Sequence, residues 1–231
     1  MAFGNLFDGY CMIHAEHATS ERRPWFEQEL KRVGVDRYTV VYAPEITDDD
    51  PRVLRFKNES GNPGSSRSVT ARISLADARV ACLNLARRNK WQNVVILEDD
   101  IIFRKQIAEW WAEAEPGVAK FNWDILFLYR ALAVELQGKT RLVRIPGTLR
   151  THCYIVREQH YKIYERAIRH SIWKGRSVDS STTFKFLRKN SNCVIVATSR
   201  NLAGQCANFK SSINSKVRED SMLKVYGVVN G

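Results

Sequence analysis

The sequence lacks the features that mark several common classes of protein. No stretch of its 231 residues approaches about 18 consecutive apolar residues, so no transmembrane helix is expected. The first twenty residues have neither a basic segment nor a long apolar run, so no signal peptide is expected either. The five cysteines are scattered, odd in number and without CxxC spacing, which argues against a disulfide framework or a cysteine-rich zinc site and predicts reduced thiols in the cytoplasm.

Positive charge, by contrast, is present in excess. The chain has 36 Lys and Arg against 25 Asp and Glu, a net charge of +11. A field of this size attracts polyanions such as nucleic acid, anionic lipid or phosphorylated glycan, although a basic surface also serves solubility alone. Hydrophobic residues make up 44% of the chain, which is enough to bury a core, and the length suits a single domain over residues 1–231.

Apolar runs and turn residues indicate strands that alternate with helices in the first half and a mixed second half. The pattern predicts strands at 9–14, 38–42, 93–97, 123–128, 152–156 and 193–196, with hairpin strands near 131–136 and 141–145. A long loop with at most one short element is predicted at 44–68. Helices are predicted from Ser20, from Ser74 to Asn89, over 104–114 with a break at Pro116-Gly117 after it, over 158–170 and after Asp179. This order predicts an α/β fold with an open, mostly parallel, Rossmann-like sheet and an antiparallel addition. Such sheets bind ligands beyond the carboxyl ends of their strands.

An acidic run, Glu98-Asp99-Asp100, follows directly after the buried strand 93–97. Three adjacent carboxylates repel one another, so a fold that keeps them together usually supplies a hard divalent cation. Such a cation stabilises the charge that develops on a diphosphate leaving group. The structural alternative is an acidic turn that caps the helix predicted at 104.

Several segments, in order along the chain, resemble glycosyltransferase family 25, which includes lipooligosaccharide and procollagen galactosyltransferases. The similar segments are GYCMIHAEHATSERRPWFEQELKRVGV (9–35), VVILEDDIIF (94–103), WDILFL (123–128), Thr151-His-Cys-Tyr-Ile155, Val178-Asp179, and Gln205 with Ser211-Ser-Ile213. Each match is short, and their shared order makes them specific together.

The resemblance implies a GT-A-type fold, a nucleotide-diphosphate sugar donor (a UDP-sugar), a divalent cation (Mn²⁺ or Mg²⁺) and inversion at the anomeric carbon. It divides the domain into a donor-binding half, about 1–130, and an acceptor half, about 131–231. The carried-over residues are Asp99 and Asp100 as metal ligands, Glu98, His152, Glu21, Arg22 and Arg23 at the donor, and Asp179 as general base or acceptor-binding acid.

Each of these residues also has a purely structural interpretation. Asp179 would cap the helix that follows it, and the residues at 21–23 would form a solvated helix start. His152 would be a structural histidine. Trp110 and Trp111 could stack on a sugar or base, but a helical pair of this kind is typical of a core.

One position departs from the family. A Ser-His pair that commonly precedes the acidic triplet is replaced by Ala78 and Arg79. An arginine there would suit a phosphate-bearing acceptor. The Arg87-Arg88-Lys90 cluster is a second candidate contact for such an acceptor.

The sequence therefore predicts a hexosyltransferase with a polyanionic acceptor, in the cytoplasm or peripheral at the inner membrane surface. Two acceptors remain open: a lipooligosaccharide-type glycan, as in lipopolysaccharide biosynthesis, and a hydroxymethylated base in phage-type DNA, which would make the reaction a DNA modification. The alternative from another class is a non-catalytic nucleic-acid-binding module with a degenerate GT-A fold. A two-metal nuclease is disfavoured because no further acids directly after Asp100 complete such a site.

Overall fold

The protein forms an α/β sheet structure, described here from a computed structural model that covers residues 3, 6–15, 22–61, 66–129, 142–145 and 151–206. Within these residues the strands are β1 (Gly9–Ala15), β2 (Thr39–Ala43), β3 (Asn93–Glu98), β4 (Ile101–Phe103), β5 (Ile125–Phe127), β6 (Leu142–Arg144), β7 (Cys153–Arg157), β8 (Ile195–Thr198) and β9 (Ala203–Gln205). The helices are α1 (Arg22–Arg32), α2 (Pro51–Ser60), α3 (Ser66–Arg88), α4 (Ile107–Lys120), α5 (Tyr161–Trp173) and α6 (Ser181–Asn190).

The central sheet has seven strands in the order β2-β1-β3-β7-β5-β8-β6. Strands β2, β1, β3, β5 and β8 run in one direction, and β7 and β6 run in the other. A separate antiparallel pair joins β4 to β9. The predicted class, a mostly parallel α/β sheet with an antiparallel addition, is confirmed.

The sheet is covered on both faces, as its continuous apolar strands predict. Along β3, Val94 and Ile96 face the layer that contains α2, α3, α5 and α6, whereas Val95 and Leu97 face the layer that contains α1 and α4. Trp111 lies fully buried in the second layer, which confirms its core interpretation. No helix in the described ranges is both long and apolar enough to cross a membrane.

The first half differs from the prediction in its helices. The short element expected within the loop 44–68 is α2, which begins after Asp50. The Asp50 side chain accepts a hydrogen bond from the Arg52 amide. Helix α3 begins at Ser66, and Ser74 lies within it, where its hydroxyl donates to the Pro44 carbonyl instead of capping. The predicted helix start at Ser74 is therefore wrong.

Helix α4 also runs further than predicted. It continues through Pro116 and ends at Lys120, although proline in a helix interior costs about 3 kcal/mol. The last turn is held by burial of Val118 and by the Trp123 indole, which donates to the Val118 carbonyl at 2.9 Å. Tertiary packing thus outweighs the local signal for a break at Pro116-Gly117.

Two strands of the second half run opposite to the rest of the central sheet. Strand β7 lies between β3 and β5 and is antiparallel to both. Strand β6 pairs antiparallel with β8, while the hairpin partner predicted near 131–136 lies outside the described residues.

Candidate active site

The acidic triplet lies at the carboxyl edge of the parallel strands, as expected from its place after β3. Glu98 is the last residue of β3, and Asp99 and Asp100 form the turn into β4. All three are buried, with at most 8% of each residue exposed. They are therefore not an exposed acidic turn, which removes the structural alternative raised by the sequence.

Glu98 has a basic side chain at each of its carboxylate oxygens. Arg79 Nη2 donates to Oε1 at 2.5 Å, and His152 Nδ1 lies 2.6 Å from Oε2. Burial by itself would raise the pKa of Glu98, but His152 and Arg79 outweigh it and lower the pKa to about 2. Glu98 is therefore ionised.

His152 owes its position to β7, which begins at the next residue, beside the end of β3. Burial by itself would lower the pKa of His152, but the charge and hydrogen bond of Glu98 outweigh it, and the pKa is raised. The antiparallel direction of β7 is what brings its first residues to this edge of the sheet.

Asp99 points to a different set of partners. His14 Nδ1 lies 2.7 Å from Asp99 Oδ2, and Arg22 Nη1 donates to Oδ1 at 2.9 Å. These two residues come from the end of β1 and the start of α1. Asp99 thereby ties the first βα unit to the triplet, and its role as a metal ligand stays a prediction.

Asp100 has one satisfied and one unsatisfied oxygen. Gln205 Nε2 donates to Oδ2 at 2.6 Å, whereas Oδ1 is buried and has no hydrogen-bond partner among the described residues. Burial raises the pKa of Asp100, and the charges of Glu98 and Asp99 add to the rise against the opposing effect of His152. A buried carboxylate oxygen without a partner is costly unless a cation faces it.

Glu98, Asp100 and His152 together could hold a metal ion. Their ligand atoms lie within 4.8 Å of one another. Two carboxylates and an imidazole suit Mn²⁺ or Mg²⁺, and the unsatisfied Asp100 oxygen is the atom that such an ion would complete. The residues present therefore fit the cation that the sequence predicts.

Of the residues predicted at the donor, Arg22 and Arg23 at the start of α1 lie in different environments. Arg22 is buried on Asp99, whereas Arg23 is exposed and donates to Glu27 and to the Tyr42 hydroxyl. Glu21 lies outside the described residues. Tyr42 is 49% exposed at the end of β2, and its ring centroid lies 6.0 Å from that of His14.

Asp179 lies just before α6 but does not cap it, because the N-cap residue is Ser180. Its carboxylate accepts a hydrogen bond from the Ser177 hydroxyl at 2.6 Å and is half-buried. The charge of Asp179 is one of those that raise the pKa of Arg79, after the opposing effect of burial and the larger contribution of Glu98. Arg79 thus interacts electrostatically with both the triplet and the predicted base.

Arg79 and the neighbouring basic cluster do not have the positions expected of acceptor contacts. Arg79 is 4% exposed, and its Nη2 also donates to Thr151 Oγ1 at 2.7 Å, so it is an internal counterion. The cluster formed by Arg87, Arg88 and Lys90 lies at the end of α3 that leads into the start of β3. That is the edge of the sheet opposite the triplet, because β3 ends at Glu98.

His14 was not identified from the sequence, although it lies near the carboxyl end of β1, where this fold class binds ligands. Its position on a parallel strand next to β3 was the available signal. Gln205, noted from the resemblance, is brought onto Asp100 by β9.

No protein-family model matches the chain, and no curated protein matches its sequence. Among solved structures, it is similar to a glycosyltransferase involved in the glycosylation of the major capsid of PBCV-1, with 8% identity and a TM-score of 0.34 over 70% of this chain. The chain spans 65% of that protein's length. A likeness this low establishes neither a family nor a reaction, so membership of glycosyltransferase family 25 stays a prediction.

Proposed function

We propose that this protein is a metal-dependent, inverting glycosyltransferase that moves a hexose from a nucleotide-diphosphate sugar to a hydroxyl group. The observation that carries the proposal is the unsatisfied Asp100 Oδ1, buried beside Glu98 and His152 at the carboxyl edge of a mostly parallel sheet. Sequence resemblance supports the same reaction.

The cation, held by Asp100 with Glu98 and His152, would neutralise charge on the diphosphate as the glycosidic bond breaks. The protein's own residues prepare this position. Arg79 keeps Glu98 ionised and fixed, and Gln205 orients Asp100. Glu98 and Asp100 are therefore already oriented before charge develops on the diphosphate. A preformed site of this kind lowers the activation barrier because it does not reorganise during the reaction.

The donor is proposed to lie across the ends of β1 and β2. Tyr42 offers an exposed ring for stacking on the nucleotide base, and Arg23, which donates to the Tyr42 hydroxyl at 3.2 Å, is exposed beside it. His14 and Arg22 hold Asp99 between this surface and the cation ligands. A UDP-sugar is the proposed donor.

Asp179 is proposed as the general base. Its carboxylate takes the proton of the acceptor hydroxyl as the hydroxyl oxygen bonds to the anomeric carbon and the bond to the diphosphate breaks. Attack from the face opposite the leaving group inverts the anomeric centre. The Ser177 hydrogen bond fixes one carboxylate oxygen and leaves the other for the acceptor.

The acceptor is proposed to be a polyanion because the net charge of +11 far exceeds what a nucleotide donor with one cation requires. A lipooligosaccharide-type glycan and a hydroxymethylated base in DNA both meet this description. Arg79 is buried and therefore does not contribute to this acceptor surface. The organised carboxylate cluster disfavours the non-catalytic binding module, for which these buried acids would have no use.

The test combines binding with turnover. Thermal-shift measurements with a panel of nucleotide diphosphates, with and without Mn²⁺, should show stabilisation that depends on the cation, and the matching nucleotide sugar should be hydrolysed slowly. Asp100→Asn should lower this turnover by about 10²-fold or more, as loss of charge stabilisation does. Asp48→Asn, an exposed carboxylate in a loop, is the matched control. Turnover that survives chelation, or normal turnover in the Asp100 variant, contradicts the proposal.

A further inference from the structure

A second group of metal-ligand side chains lies apart from the triplet. The carboxylate of Asp124, the imidazole of His160 and the thiol of Cys193 have ligand atoms within 4.8 Å of one another. Asp124 directly precedes β5, Cys193 precedes β8, and His160 ends the 3-10 turn Glu158–His160 that follows β7. Because β7 runs opposite to β5 and β8, its end meets their beginnings at one edge of the sheet.

This edge is the one opposite the triplet. Strand β7 starts next to His152 in the candidate active site and ends next to the second group. At about 3.4 Å per residue, its five residues separate the two places by roughly 17 Å. The second group is therefore independent of the proposed catalytic cation.

We infer that Asp124, His160 and Cys193 form a binding site for Zn²⁺ that joins the ends of β5, β7 and β8. An oxygen, a nitrogen and a sulfur ligand suit zinc better than Mg²⁺ or Mn²⁺, which prefer oxygen. One Asp and one thiolate would balance the charge of the ion. The fourth tetrahedral position is left for water.

The geometry around each ligand fits this role. Asp124 is held in place by Gln159 Nε2, which donates to Oδ1 at 2.8 Å, and by the Val194 amide, which donates to Oδ2 at 2.7 Å. Outer hydrogen bonds of this kind orient a metal-binding carboxylate and leave it a lone pair for the ion.

His160 faces the Asp124 carboxylate with one of its ring nitrogens. Its Nδ1 lies 3.0 Å from Asp124 Oδ1, yet it is buried and makes no hydrogen bond of acceptable geometry within the described ranges. Tetrahedral zinc needs its ligand atoms roughly 3.5 Å apart, so the observed spread closes with small side-chain movements. Cys193 lies between α6 and β8, outside regular secondary structure, and packs against the core. Its thiol proton would be released on binding.

Cobalt substitution tests the site directly. The full-length protein is stripped with chelator and titrated with Co²⁺, which gives an intense near-ultraviolet charge-transfer band only when a thiolate binds it. We expect this band at one equivalent in the wild type and its loss in Cys193→Ser and His160→Gln. It should persist in Asp100→Asn, which alters the other site, and in His170→Gln, a histidine on α5 outside both groups.

Zinc should also stabilise the fold. At free Zn²⁺ about 100-fold above its Kd, the melting temperature of the wild type should rise by roughly 5–10 °C, and that of His160→Gln should not. A wild type that binds Co²⁺ without the thiolate band, or a band that survives Cys193→Ser, overturns the inference. The wild-type titration decides the matter even if a variant fails to fold, and neither result depends on glycosyl transfer.

Discussion

At the scale of single residues, Asp100 differs from its neighbours because its Oδ1 is buried without a hydrogen-bond partner among the described residues. Its pKa is raised, so ionised Asp100 destabilises the metal-free fold above that pKa. At pH 7 in chelator, Asp100→Asn should therefore increase the free energy of unfolding by roughly 1–3 kcal/mol. With saturating Mn²⁺ the wild type should instead be more stable than Asp100→Asn. Urea unfolding in both conditions measures this, and an Asn variant that is less stable in chelator would contradict it.

The Glu98–His152 pair predicts how stability depends on pH. The lowered pKa of Glu98 gives a contribution that is complete above its ordinary value of 4.5 and is lost as the pH falls toward about 2. The raised pKa of His152 gives one that is complete below 6.5 and is lost as the pH rises through the folded-state value. The free energy of unfolding of the metal-free wild type should thus exceed that of Glu98→Gln by the largest amount between about pH 4.5 and 6.5. A stability difference that is flat from pH 3 to 8 would refute this.

Asp179 is predicted to act on the rate rather than on donor binding. Asp179→Asn should lower turnover by about 10²-fold or more, the usual contribution of a general base, with nucleotide diphosphate affinity nearly unchanged. Single-turnover rates and calorimetric binding measure the two effects separately. Ser177→Ala removes the hydrogen bond to Asp179 but keeps the carboxylate, so its turnover should fall much less. Equal losses of rate and nucleotide affinity would instead assign Asp179 to the donor site.

At the scale of secondary-structure elements, local sequence patterns were sufficient where burial and periodicity agree. The first strand, the helix after it and the strand 93–97 were predicted because their apolar spacing is clear in the sequence. The sequence did not predict that α3 begins before Ser74 or that α4 continues past Pro116. Both depend on tertiary interactions, namely the contact of Ser74 with Pro44 and the burial of Val118.

The same limit applies to the candidate site. The triplet could be located because it directly follows a strand. The internal pairing of Arg79, the contacts of His14 and the direction of β7 depend on residues far apart in sequence. A local pattern has no information about such pairings, so Arg79 was predicted as an acceptor contact instead of an internal counterion.

Two glycines in left-handed backbone allow a matched test of how α2 packs against α5. Gly61 ends α2 with φ 67°, and a Cβ there would meet no atom of the described residues within 4 Å. Gly175 follows α5 with φ 63°, and a Cβ there would lie 2.6 Å from Ser60 N and 2.8 Å from Phe56 O.

Gly61→Ala should therefore cost only the left-handed backbone penalty, about 1–2 kcal/mol. Gly175→Ala should cost a further 1–3 kcal/mol or so, because backbone atoms of α2 must move. Chemical denaturation of both variants measures the difference, and equal costs would show that the contact between these helices yields without strain.

At the scale of the whole molecule, the net charge of +11 predicts how an acceptor binds. If the acceptor is duplex DNA, affinity should fall with salt, with a log–log slope near −0.9 for each phosphate neutralised. Plain and hydroxymethylated duplexes are titrated at two salt concentrations, and mass spectrometry then detects any sugar on the base. Salt-insensitive binding without added sugar would exclude DNA as the acceptor and leave the glycan as the remaining proposal. Charge-reversal substitutions of Arg87 and Arg88, which lie at the edge of the sheet opposite the acidic triplet, should leave turnover on a small acceptor unchanged.

The candidate site is assembled from contacts that join distant parts of the chain. Asp99 meets His14 across 85 residues, Glu98 meets His152 across 54, and Asp100 meets Gln205 across 105. Such contacts form late in folding, because long loops must close first. During synthesis, β1, β2 and β3 can pair before the later strands exist, but Asp100 cannot be oriented until residue 205 has left the ribosome. A chain still under synthesis therefore contains the acids without the proposed cation site, and we expect cation binding only from the completed fold.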